Sequence, residues 1–126
     1  PLELEVKLRD IMWRYCGALR SNGKLNQGLW RLHSVKDKFF PEMIAKNPHE
    51  LMSCQEVRNL FLLGEVQLVS TRERKESGGG FFRVDHPEKK DDPWQKAIVA
   101  WLEDGEIKIT RRRMPDLRPE FTKKET

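Results

Sequence analysis

Three consecutive glycines, Gly78 to Gly80, lie between the charged run Arg74-Lys75-Glu76-Ser77 and the pair Phe81-Phe82. A glycine-rich turn is the backbone that cradles phosphate, so a nucleotide site is the first chemistry to test. A dinucleotide fingerprint needs GxGxxG between a strand and a helix, and a P-loop needs Gly-Lys-Ser/Thr. Neither is present: the glycines follow a helix-like stretch and no strand leads into them. Their spacing points instead to a helix cap followed by close backbone packing.

The other chemistry-bearing residues are dispersed. His33, His49 and His86 share no metal-ligand spacing, and no metal is expected from them. His33 falls beside an apolar helical stripe, as a surface or boundary residue. Cys16 and Cys54 belong to no CxxC pair and read as buried thiols in a reducing compartment. The acidic pairs Asp91-Asp92 and Glu103-Asp104 flank turns, which explains them without acid–base work. No nucleophile–base–acid arrangement stands out, so no catalytic residue is assigned.

Composition narrows the partners. The chain has 126 residues, net charge +4, 35% charged and 37% hydrophobic residues, which suits one polar domain with a modest core. Basic and acidic residues interleave throughout. Nucleic-acid binding calls for a clustered basic footprint, and only Arg111-Arg112-Arg113 forms a run. No apolar stretch of about 18 residues suggests a membrane span.

Hydrophobic spacing then predicts the elements that hold these residues. Leu4, Leu8, Ile11, Tyr15 and Ala18 form one stripe, giving a helix over 2–20 that ends at Ser21-Asn22-Gly23, with Gly23 as C-terminal cap. Leu25, Leu29, Leu32, Val35 and Phe39 mark a second helix over 24–39. Pro41 ends it or kinks it into a further turn or two through Lys46. Asn47-Pro48 starts a third helix running to about Lys75, with Val57, Leu60, Phe61, Gly64 and Leu68 on one face. Gly64 inside it implies close approach of a neighbouring helix. Two short apolar runs around Asp104-Gly105 read as a β-hairpin, and the tail beyond Thr110 as extended and frayed at its end. The fold class is therefore mainly α: an antiparallel, spectrin-repeat-like three-helix bundle over 1–76, then an arm, a small C-terminal β-hairpin and a tail over 77–126 of the same domain. Phe81, Phe82, Trp94 and Trp101 are more aromatic surface than a small bundle covers, which points to docking on another body.

The segment "RKESGGGFFRVDHPEKKDDPWQK" resembles the C-terminal helical domain of the fumarate reductase and succinate dehydrogenase flavoprotein subunits, shared with L-aspartate oxidase and the adenylylsulfate reductase flavoprotein subunit. That family reads roughly R-x-E-S-R-G-x-H-x-R-x-D-x-P, then a D-D-x-x-W-like stretch. Arg74, Glu76, Ser77, Gly79, Arg83, Asp85, Pro87, Asp91 and Asp92 follow that order. Met12-Trp13, Gly17 and Arg20 match an M-W-x-x-x-G-x-x-R core in the first helix. "NLFLLGEVQLVSTRERKES" is similar to the third. The resemblance covers residues 2 to about 110. Gly78 and Phe81 depart from it, standing where the family has Arg and His.

The resemblance implies a piece of a larger FAD-dependent oxidoreductase, and Pro1 directly before a helix fits such a piece. The parent would pass a hydride between FAD and a dicarboxylate, with electrons moving to an iron–sulfur subunit. Flavin-binding and catalytic residues would lie upstream, with no cofactor held here. This domain would pack on the flavin and capping domains through an arm in which Arg74, Glu76, Ser77, Gly79, Arg83 and Asp85 serve interdomain docking. The implied location is cytoplasmic, at the inner face of the membrane through partner subunits, with no insertion of its own. Two alternatives stay open. One is a stand-alone helical interaction module, binding nucleic acid weakly through Arg111–Arg113. The other is an adenylylsulfate-reductase-like or aspartate-oxidase-like parent.

Overall fold

In the computed structural model, residues 1–78, 80–88 and 96–113 are described. Gly79, Asp91, Asp92, Trp94 and the tail beyond 113 lie outside the described residues. The chain divides into two compact units, Pro1–Lys89 and Lys90–Thr126.

The first unit is the three-helix bundle: α1 (Leu2–Tyr15), α2 (Asn22–Phe39) and α3 (Pro48–Glu73). The apolar stripes meet as their spacing requires. Leu4, Leu8 and Ile11 of α1, Leu25, Leu29 and Leu32 of α2, and Val57, Phe61 and Leu68 of α3 form one buried cluster. Leu60, placed on the inward face by its spacing, instead lies at the edge and is exposed. Asn47 caps α3, accepting from the Glu50 amide at 2.9 Å, with Pro48 in the first turn. After α2 the chain makes turns rather than a helical extension: the Glu42 and Met43 amides donate to Phe39 and Phe40. Pro41 has no N–H with which to continue the ladder.

Helix α1 is shorter than its periodicity suggests. It ends at Tyr15, and Leu19–Arg20 form strand β1, paired in parallel with β2 (Phe82–Arg83) from the arm. Long-range pairing thus overrides the local pattern. Gly23 is not a cap; it lies in the first turn of α2. The cap is Ser21, whose Oγ accepts from the Lys24 amide at 3.2 Å.

Gly64 sits where α1 crosses α3: a Cβ there would lie 3.2 Å from Leu8 Cδ1 and 3.3 Å from Met12 Sδ. Gly28 is tighter, with an added Cβ only 2.7 Å from Tyr15 Cβ, an atom fixed to the α1 backbone. This difference sets the sign of two substitutions. Gly28→Ala is expected to destabilise by about 1–2 kcal/mol, the overpacking cost exceeding alanine's helix propensity. Gly64→Ala is expected to be near neutral, because the flexible ends of Leu8 and Met12 can yield. Paired urea denaturation curves check both.

The second unit contains the hairpin β3 (Lys96–Glu103) and β4 (Glu106–Arg113), antiparallel, with Glu103 opposite Glu106. Asp104 and Gly105 turn the chain with φ of 52° and 77°. Positive φ at both central residues is the type I′ geometry that matches strand twist. Ile98, Ala100, Leu102, Ile107 and Ile109 share one face by register and pleat.

Candidate interdomain docking arm

The arm, residues 74–88, begins where α3 must end. The last carbonyls of a helix lack intrahelical donors. No glycine serves them: Arg74, at the C-cap, is extended, with φ −79° and ψ 100°. They are served by Arg83. Its Nη1 donates to the carbonyls of Thr71 (3.0 Å), Arg72 (3.3 Å) and Arg74 (3.0 Å). The expected glycine cap is thus replaced by a guanidinium, which also complements the negative end of the helix dipole.

Arg83 is 1% exposed, and a buried cation needs an anion. Asp85 supplies it in bidentate form, accepting from Nε at 2.8 Å and Nη2 at 2.7 Å. Asp85 Oδ2 also accepts from the Asn22 amide at 3.1 Å, at the first residue of α2. A carboxylate at a helix N-terminus is favourable for the converse reason. Arg83 and Asp85 therefore form a strut whose cation closes α3 and whose anion opens α2.

The hydrogen bonds from Arg83 hold the Asp85 carboxyl well below the usual carboxylate range; the Asn22 amide adds to this and partial desolvation opposes it. A depressed folded pKa means stability present above the unfolded value, about 3.9, and lost as pH falls through the folded value. Asp85→Asn is expected to cost about 1–2 kcal/mol at pH 7, less than a fully buried pair because the carboxylate is 31% exposed. Denaturation from pH 7 to pH 2 checks this. The gap between wild type and variant should hold down to about pH 4 and narrow below it.

The rest of the arm is closed by its own backbone. Phe82 N–H donates to Ala18 O at 2.7 Å and Val84 N–H to Arg20 O at 2.8 Å. The Ser77 amide donates to Glu88 O at 3.1 Å, closing residues 77–88 into a loop. Ser77 is buried inside it. Its Oγ accepts from the Arg83 amide at 2.8 Å and donates to His86 O at 2.6 Å. Gly78 and Phe81 exchange both backbone hydrogen bonds. Arg74 pairs with Glu76. Of the six docking candidates, five thus come together here: Arg74 with Glu76, Arg83 with Asp85, and Ser77 between them. Gly79 lies outside the described residues.

Arg20 was outside that set, yet it belongs to the arm's seat. Its guanidinium lies 4.8 Å from the centre of the Phe81 ring, a cation–π contact at a position where the resembling family has His. Its Nε donates to Gly17 O at 2.7 Å. The M-W-x-x-x-G-x-x-R spacing is the signal that marks Gly17 and Arg20. Leu19, Phe82 and Val84 project outward and are exposed.

Of the remaining candidates, His86 lies in the arm with its Nε2 3.7 Å from Asp85, and Cys16 Sγ lies 3.8 Å from the Thr71 hydroxyl, while His33, His49 and Cys54 are elsewhere on the bundle. His33 Nε2 lies 2.8 Å from Glu65 on the helix surface, and Cys16 and Cys54 are free and buried. Among the described residues, no group of three His, Cys, Asp or Glu is placed to hold a metal ion. No helix among them is long and apolar enough to cross a membrane.

Comparison with known proteins gives this geometry its family. Residues 5–124 match the model described as fumarate reductase flavoprotein C-term. L-aspartate oxidase of Acinetobacter baylyi is 33% identical over 86 residues, 65% of this chain and 15% of that protein. The succinate dehydrogenase flavoprotein subunit of Coxiella burnetii is 28% identical over 111 residues, 85% of this chain and 19% of that one. The adenylylsulfate reductase structure from Archaeoglobus fulgidus superposes with a TM-score of 0.85 at 22% identity, over 92% of this chain and 19% of that chain. An E. coli quinol fumarate reductase variant gives 0.82 at 20% identity, over 94% and 22%. At such identities the structural likeness establishes the fold, and the chain spans less than a fifth of the two sequence relatives. The match over residues 5–124 establishes that this chain belongs to the fumarate reductase flavoprotein C-terminal family.

Proposed function

We propose that this chain is the helical C-terminal domain of an FAD-dependent oxidoreductase of the succinate dehydrogenase/fumarate reductase type, and that it packs on the flavin-binding and capping domains without catalysing by itself. The observation that carries this reading is the arm. Buried Arg83, paired with the half-buried Asp85, fixes a segment whose outward side chains, Phe82 and Val84, are apolar, next to the exposed Leu19 of β1. Such rigidity suits an interface, because a preordered surface loses less entropy on docking. Arg74, Glu76, Ser77, Arg83 and Asp85 then act in docking through the shape they give the arm, and Gly79 is assigned to docking by the motif.

FAD is assigned to the neighbouring body. The residues here do not suit it: the groove lined by Leu2, Val57 and Leu60 is rimmed by Glu3, Glu5, Glu50 and Glu56, which repel a pyrophosphate. In the parent, a hydride would pass between FAD and a dicarboxylate, and electrons onward to an iron–sulfur subunit. The complex would lie in the cytoplasm at the inner face of the membrane. The 33% identity to an L-aspartate oxidase favours a second reading, in which the dicarboxylate is an amino acid.

The test mixes this chain with the separately produced flavin and capping domains of the parent polypeptide. Association, FAD retention and dye-linked turnover of fumarate, succinate and L-aspartate are followed. Association with tighter FAD retention is the expected result, and the substrate that turns over separates the two readings. Domains that ignore this chain would overturn both.

A further inference from the structure

A three-helix bundle with up-down-up connections leaves α1 and α3 side by side and parallel. Their order of contact agrees: one groove brings Leu2 to Val57 and Leu60, and the next brings Met12 to Gly64 and Gln67. The two share Glu5, Leu60 and Leu63, so they form one continuous trough. From Leu2 to Met12 it runs about 15 Å at the helical rise per residue, nearly three turns. Its wider end has a volume of about 830 Å³.

The trough is apolar where it need not be. Leu2, Ile44, Leu60 and Leu63 line it and are exposed, Leu63 at 63%. Such a patch on a domain surface marks an interaction site. Its rim has a definite sign. Glu3, Glu5, Glu50 and Glu56 stand around the wide end with Lys46 as the single basic side chain there, although the whole chain carries +4. Arg9, in the narrower part, is paired with Glu5, and Lys7, on the same helix, lies 3.7 Å from Glu3. Glu50 accepts from the Lys46 amide, while Glu56 makes no ion pair among the described residues. An apolar floor between parallel helices with an acidic rim fits an amphipathic helix laid lengthwise, its leucine-like face down and its basic flanks on the carboxylates.

We propose that the α1/α3 trough receives a basic amphipathic helix of about three turns, supplied by a neighbouring domain of the same flavoprotein, completing a four-helix arrangement. This rests on the docking function proposed above and names one face that carries it.

The test has two stages. First, the chain is titrated by fluorescence anisotropy with a synthetic 16-residue helix that has leucines three and four apart and lysine flanks, and with the same helix carrying glutamate flanks. The lysine helix is expected to bind at least tenfold more tightly. Leu63→Asp should weaken it at least tenfold, and the pair Glu3→Lys with Glu56→Lys should move the preference to the glutamate helix. Circular dichroism verifies that the variants stay folded, as exposed positions allow. Equal binding of the two helices, or no effect of Leu63→Asp, would overturn the proposal.

Second, the flavin and capping domains are added to wild-type chain and to Leu63→Asp. Weaker association of the variant supports the trough as the docking face. Unchanged association leaves the docking function standing and removes this inference. Self-association of the chain alone, abolished by Leu63→Asp, would make the occupant a second copy and would also remove it.

Discussion

Replacing Arg83 with alanine is expected to cost the helical unit about 3–5 kcal/mol, the range for removing one partner of a buried ion pair. Two losses combine. Asp85 keeps its charge beside the N-terminus of α2 without the bidentate donor that stabilised it. The carbonyls of Thr71, Arg72 and Arg74 lose the Nη1 donor that closes α3, each unsatisfied group carrying its own desolvation cost. The arm strand β2 contains Arg83, so its pairing with β1 should loosen at the same time. Arg83→Lys tests geometry against charge. One ammonium cannot span a carboxylate and a helix end as a planar guanidinium does, so lysine should recover only a minor part of the loss. Urea denaturation of the single variants and of Arg83→Ala with Asp85→Asn gives the coupling. The double variant should be less destabilised than the sum of the singles, because each removes the same contact. An additive result would mean that the strut does not act as one unit.

Phe61→Ala is expected to cost a similar 3–5 kcal/mol for a different reason, cavity formation. Phe61 is 1% exposed and belongs to the cluster in which all three helices meet. Phe40 packs edge-on against it, with ring centres 5.1 Å apart at 69°. That contact ties the segment after α2 to α3, so the alanine variant loses an aromatic pair as well as transferred area. For a unit of this size the thermal midpoint should fall by more than about 12 °C, measured by circular dichroism at 222 nm. Phe61→Leu, which fills most of the volume, should lose much less. The two large effects separate by pH. The Arg83 variant owes part of its loss to a charge and should approach wild type below about pH 4, as Asp85 protonates. The Phe61 variant should not.

The bundle was legible because helical burial is written in local spacing. The stripes through Leu8, Leu32 and Phe61 are read from intervals of three and four, and the Asn47-Pro48 start and the Asp104-Gly105 turn depend on a few adjacent residues. What was misread depends on partners distant in sequence. Ala18 continues the stripe of α1 well enough for residues 2–20 to look helical, but the carbonyls of Ala18 and Arg20 accept from Phe82 and Val84. Gly23 looked like a stop because glycine often ends helices, yet Ser21 two residues earlier begins one. The end of α3 looked like a glycine cap because the donor that closes it lies at position 83.

The arm residues were visible as a motif, but their wiring was not. Arg74, Glu76, Arg83 and Asp85 alternate charge in a way that permits several pairings, and only the folded backbone selects Arg74 with Glu76 and Arg83 with Asp85. The trough between α1 and α3 is not a sequence pattern at all. It arises from two helices whose exposed leucines are unremarkable on each alone.

The central claim is that the arm is a fixed part of the helical unit, held by the Arg83–Asp85 strut. Amide hydrogen exchange at Phe82 and Val84 tests it most directly, since these N–H groups donate to Ala18 and Arg20 across the junction. Protection close to that of the α3 core, falling sharply in Arg83→Lys, is the predicted result. Exchange at the rate of a free peptide in the wild type, with α3 still protected, would contradict the account.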